Sequence, residues 1–101
     1  MNNKPEQGGA ARLSLGPILD LRAAAPLRES LLALQGQAVT VDGSGVQRLG
    51  GLCLQVLLSA AQTWAAEGER FCIADASPAL ADALALMGAP SLAATHLGAG
   101  L

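Results

Sequence analysis

A chain of 101 residues fits one domain. Hydrophobic residues make up 51% and aromatics 2%, so the chain can build a core, mainly of Leu, Ala and Val, and is too apolar for a disordered segment. A net charge of −2, a pI near 5.1 and six scattered Lys and Arg argue against the clustered basic face of a nucleic-acid binder.

The first residues, "MNNKPEQGGAAR", are polar and Gly-rich and have no apolar h-region of a signal peptide. They read as a flexible arm over 1–11, ahead of a domain over 12–97 and a tail over 98–101. "RLSLGPILDL" alternates imperfectly and reads as short strand material bent at Gly16-Pro17. In "AAAPLRESLLALQGQ", Pro26 suits a first helical turn. Leu27, Leu31 and Leu34 then form one apolar stripe, and Gly36 is a C′ stop. Val39, Thr40 and Val41 are a β-branched run ended by turn residues, hence a strand.

The segment "GGLCLQVLLSAAQTWAAEG" predicts the most buried helix. Leu54, Leu57, Leu58, Ala61 and Trp64 share a stripe, widened by Val56 and Ala60. "RFCIADA" reads as a strand. In "SPALADALALMG", Ser77 is an N-cap, Pro78 takes the first helical position, and Leu80, Leu84 and Met87 form the buried stripe before Gly88. A small-residue tail follows, with one turn packed by Leu92 and Leu97. Three strands alternating with three helices imply βαβ crossovers with parallel strands, within a small mixed sheet, in an α/β fold with about three to four helices on one or both faces.

Gln55, Gln62 and Glu67 interrupt the longest apolar stretches, short of the ~20 residues a bilayer span needs. The expectation is a cytoplasmic chain without membrane insertion. Cys53 and Cys72 are then reduced. With no histidine near them they are small buried hydrophobes rather than zinc ligands.

Two glycine-containing clusters, "DGSG" at 42–45 and "LGG" at 49–51, invite a test for chemistry. A nucleophile elbow needs glycines where Asp42 and Val46 stand around Ser44, and a triad needs a histidine, of which there is one, His96, in the tail. A phosphate loop needs a Lys-Ser/Thr pair that "GVQRLGGL" lacks, and a dinucleotide loop needs glycine at Arg48. Ser44 therefore reads as a turn hydroxyl bonding local backbone. Gly50 and Gly51 bare the start of a helix, or simply fit a tight turn. No catalytic residue, cofactor or metal is expected.

The pattern of "TVDGSGVQRL", "GGLCLQVLLSAAQTWAAEG" and "RFCIADASPALADALALMGA" resembles the STAS domain family, that of bacterial anti-sigma-factor antagonists, over roughly residues 37–89. The helix "APLRESLLAL" looks like that family's first helix. The family's Asp-Ser/Thr-Ser/Ala-Gly-Leu signature aligns without a gap on Gly50–Leu54, leaving "VDGSG" at the preceding strand end. The resemblance then implies that the phosphorylatable hydroxyl falls on Gly51, the preceding Asp on Gly50 and the signature glycine on Cys53. The phosphorylation switch is absent.

By the same resemblance, a partner docks at Ser44, Gln47, Arg48, Gly50, Gly51, Leu52, Cys53 and Gln55, with Leu52 and Cys53 exposed. The implied function is non-catalytic binding and regulation of a signalling protein. A chemotaxis or other histidine kinase, or an anti-sigma-type kinase, is the expected partner. The alternative is a small STAS subunit of a lipid-transport ABC complex that binds its ATPase. Those subunits usually carry Thr where this chain has Gly51. An enzyme or nucleotide binder is the third and least favoured reading.

Overall fold

The structure, a computed structural model, describes residues 11–93. In chain order it contains β1 (Ala11–Ser14), β2 (Ile18–Leu19), a 3-10 turn (Leu21–Ala23), α1 (Ala24–Ala33), β3 (Val39–Asp42), β4 (Arg48–Leu49), α2 (Gly51–Ala66), β5 (Phe71–Ala74), α3 (Pro78–Leu86) and α4 (Pro90–Ala93). The expected α/β alternation is present, but among the described residues the sheet is corrected from mixed to parallel: every strand pairing is parallel, because each pair is joined by a crossover rather than a hairpin. One strand lies outside the expected set. "VQRL" contributes β4, which pairs with β2 as a separate ribbon, Ile18 opposite Arg48 and Leu19 opposite Leu49.

The main sheet has the order β1-β3-β5. Its register aligns Leu13 with Val41 and Ile73, and Val39 with Phe71. Strand side chains alternate between faces, so these residues form one apolar face. Arg12, Thr40, Asp42 and Cys72 fall on the other, where Arg12 pairs with Asp42 at 3.6 Å and Thr40 Oγ1 lies 3.5 Å from Cys72 Sγ. Both crossovers step the same way across the sheet, and such connections share one hand, in keeping with α1 and α2 packing against each other.

The core follows from this layering. Val39, Val41 and Ile73 are buried under Leu27 and Leu31 of α1 and Leu54, Leu57, Ala60 and Trp64 of α2. Leu34 packs at the margin, as do Val56, Leu58 and Ala61. The Trp64 and Phe71 rings meet at 5.7 Å between centroids, tilted by 56°. That is a favoured aromatic geometry. The indole N–H is satisfied by the Gln37 carbonyl at 2.7 Å, which ties the end of α2 to the loop before β3.

The helix ends follow the glycines. Gly68 and Gly88 have φ of +73° and +80°. Each sits in a Schellman turn, with Glu69 N–H on the Trp64 carbonyl at 2.9 Å and Ala89 N–H on the Leu84 carbonyl at 2.7 Å. Gly36, expected directly after the C-cap, lies one residue further on, because α1 closes at Leu34. Met87 is corrected from a stripe residue to an exposed one: α3 stops at Leu86, and the turn at Gly88 carries Met87 off the buried face. Leu92 is buried as expected. His96, Leu97, the 98–101 tail and residues 1–10 of the arm lie outside the described residues.

Candidate functional site

Two loops that reach the same end of the molecule build the surface around the start of α2. After β3, Asp42 turns the chain: its Oδ1 accepts the Ser44 N–H at 2.9 Å, an Asx turn. The Ser44 N–H and hydroxyl both hold the Asp42 carboxyl below its usual range, with Arg12 adding a smaller pull and partial burial opposing them. Ser44 thus sits in a turn at the strand end, its backbone N–H held by the Asp42 carboxylate. Val46 is buried and anchors the loop. The Gln47 and Arg48 N–H groups both donate to the Pro17 carbonyl, at 2.7 and 3.0 Å, and their side chains are exposed.

The β2–β4 ribbon then delivers the chain to the helix. Gly50 is the N-cap of α2, in extended conformation, and no side chain caps the helix. Its N–H donates to the Leu19 carbonyl at 2.8 Å. A Cβ at Gly50 would stand 3.3 Å from that carbonyl, so backbone approach explains this glycine. Gly51 is different: a Cβ there would meet nothing within 4 Å.

Cys53 does not join the exposed surface. It is completely buried, and its thiol donates to the Asp20 carbonyl at 3.3 Å. Burial, and secondarily the Asp20 charge, push its pKa up and keep it a neutral thiol. The expectation of an exposed Leu52–Cys53 pair is therefore corrected. The 3-10 turn packs on this side of α2, and the Asp20 carbonyl just before it meets Cys53. Cys72 is buried too, so both cysteines are core residues.

Leu52 is 50% exposed. Ser44, Gln47, Arg48, Gly51 and Gln55 are exposed as well, and Gly50 is half-buried. The structure gathers these residues on the loop after β3, on β4 and on the first turn of α2. Asp20 and Leu19, whose carbonyls fix the helix start, carried no recognisable signal beyond an Asp preceding a helical run. That Asp caps the 3-10 turn, its Oδ1 accepting the Arg22 N–H at 3.0 Å.

The second relevant feature is a groove of about 350 Å³ between α1 and α2. Leu31, Ala60 and Trp64 line it as buried residues, with Arg28, Leu32, Leu52, Gln55 and Ser59 exposed along it. Among the described residues, no three His, Cys, Asp or Glu side chains come together as a metal-binding group. No described helix is long and apolar enough to cross a membrane.

This arrangement leaves an exposed surface beside a helix end that has no side-chain cap. No curated protein matches the chain significantly. A family model described as "Mlab, STAS domain" matches residues 2–93. The parallel α/β layering agrees with that match, and the chain belongs to the STAS domain family.

Proposed function

We propose that this STAS domain is a non-catalytic docking module that regulates a signalling partner and has no phosphorylation switch of its own. The preferred partner is a histidine kinase of the chemotaxis type, or an anti-sigma-type kinase, met in the cytoplasm at the start of α2. STAS domains generally mediate protein–protein interactions and are generally non-catalytic, which supports the coarse reading.

The observation that carries the finer one is Gly51. It opens α2, is exposed, and has open space where a side chain would project. Packing does not demand glycine there. A helix end with free N–H groups and no side-chain cover is left bare beside the exposed Leu52. A phosphorylated hydroxyl at this place would add roughly −1.5 to −2 charge and repel or desolvate a docked partner. Gly51 cannot carry one, so the surface is permanently in its binding state.

The test is incubation with the cognate kinase and ATP, with binding followed by calorimetry. The expected result is a complex and no mass shift over residues 49–55. Gly51→Asp, which imitates the missing charge, should weaken the complex by about tenfold or more, or ~1.4 kcal/mol. Phosphate on Ser44, or equal binding by the Gly51→Asp variant, would overturn the reading. Selective binding of an ABC ATPase in place of the kinase would replace it with the alternative.

A further inference from the structure

Two surfaces of the chain are complementary, and neither is used within it. The first is the α1–α2 groove, which runs from Leu52 to Trp64 over about 18 Å of helix at ~1.5 Å per residue. Its single charged lining residue is Arg28, one turn from Leu32, which is 48% exposed. The second is the outer face of α3. Leu86 is 88% exposed, the most exposed of the large hydrophobic side chains described, and Asp82 lies one turn before it, also exposed. Met87 follows at 38%. Among the described residues neither Arg28 nor Asp82 has an ion-pair partner. Side chains four apart on a helix share a face. Arg28–Leu32 and Asp82–Leu86 therefore present the same spacing with opposite charge.

We propose that the α1–α2 groove takes the end of α3 from a second copy of this chain, with Leu86 against Leu32 and Leu52, and Asp82 beside Arg28. Leu86 is too exposed to occupy its own chain's groove, and α3 packs instead against β4 and α4. The contact joins two different patches, so it is heterologous: a dimer keeps one free groove on one copy and one free knob on the other, and association extends beyond the dimer. It is a small contact of the weak, transient class. Because Leu52 borders both the groove and the start of α2, self-association competes with partner docking. That consequence rests on the proposed function, whereas the contact itself does not.

The test uses the purified chain alone, so it is independent of any partner. By sedimentation equilibrium, the average mass should rise steadily from about 10 µM to about 1 mM. Leu86→Ser, which removes the knob, and Leu52→Ser, which spoils the groove, should each remain monomeric. Mixed together they should form a one-to-one dimer that grows no further, because the mixture holds one intact groove and one intact knob. Arg28→Asp and Asp82→Arg should each weaken association by about tenfold, and the double variant should restore it. A monomeric wild type at about 1 mM, a closed dimer that survives both Leu variants, or a double charge variant no better than the single ones would overturn the proposal.

Discussion

The starts of α2 and α3 lie close together in the fold and are built in opposite ways. At α3, Ser77 Oγ accepts the Leu80 N–H at 3.0 Å and donates its own proton to the Val46 carbonyl. Pro78 fixes the first turn, and the Ser77 N–H donates to the Gly43 carbonyl at 3.0 Å. Leu80 behind it is completely buried. Just before this start, Asp75 holds a φ of +56°, a conformation that non-glycine residues seldom adopt. At α2, glycine occupies both the cap and the first helical position, with no side-chain cap. One start is sealed by side chains, and the other is held by backbone alone and left open. The difference separates a helix end that serves the core from one that serves a surface.

The sealed end should be the more fragile. Gly43 sits where a Cβ would stand 2.5 Å from Leu80 Cδ2 and 3.5 Å from both the Ala76 backbone and Ile73 Cγ2. Leu80 and Ile73 are completely buried, so neither has room to yield. Gly43→Ala should destabilise by about 1–3 kcal/mol, by the mechanism of core overpacking. Gly45→Ala in the same loop, where the nearest atom is the Leu15 carbonyl oxygen at 3.8 Å, is the near-neutral control. Urea midpoints at constant m-value measure both. A smaller loss is expected from Ser77→Ala, about 1–2 kcal/mol, because it removes the cap and leaves the Val46 carbonyl without its donor. Ser77→Thr should recover most of it.

At the open end, two adjacent glycines should respond with opposite signs. Gly50→Ala pushes a methyl toward the Leu19 carbonyl at 3.3 Å and replaces glycine by a poor capping residue, a loss of about 1 kcal/mol. Gly51→Ala meets no atom and improves helix propensity, a gain of a few tenths up to about 1 kcal/mol. Thermal unfolding of the two variants against wild type checks the pair. Destabilisation by Gly51→Ala would show that something within the chain requires this glycine. The case for a surface kept bare for docking would then lose its support.

The sealed end was legible in the sequence, and the open end only in part. "SP" ahead of an apolar period, with Gly88 behind it, names a helix with its cap and stop, and Val39–Val41 names the central strand, because each rests on local chemistry. The β2–β4 ribbon was not legible, since two-residue strands show no alternation. Periodicity alone runs the α2 stripe through Leu58 and Ala61. The buried face is instead Cys53, Leu54, Leu57, Ala60 and Trp64. Cys53 belongs to the core, where its thiol meets the carbonyl of Asp20, the residue that follows β2. Leu52, the neighbouring apolar residue, remains at the surface. Local periodicity shows which residues can be buried together, while the neighbours brought by long-range pairing decide which of them are.

The smallest expected effect concerns the loop between the two starts. Asp42 ends β3, holds Ser44 and pairs with Arg12 across the polar face of the sheet. The Ser44 bonds come first in lowering its pKa from the ordinary value of 3.8, with the Arg12 charge a lesser contributor. A carboxyl whose native pKa is depressed binds its proton less readily when folded. Its contribution to stability is therefore complete above pH 3.8 and fades as the pH falls through that value to the lower native one. Asp42→Asn keeps an oxygen that can accept the Ser44 N–H but carries no charge to titrate. The difference in urea midpoint between wild type and Asp42→Asn should be small at neutral pH and should shrink as the solution is acidified below pH 4. A difference that stays constant with pH would mean that the turn is held by oxygen placement alone. The loop that carries Ser44 to the surface would then owe nothing to the charge beneath it.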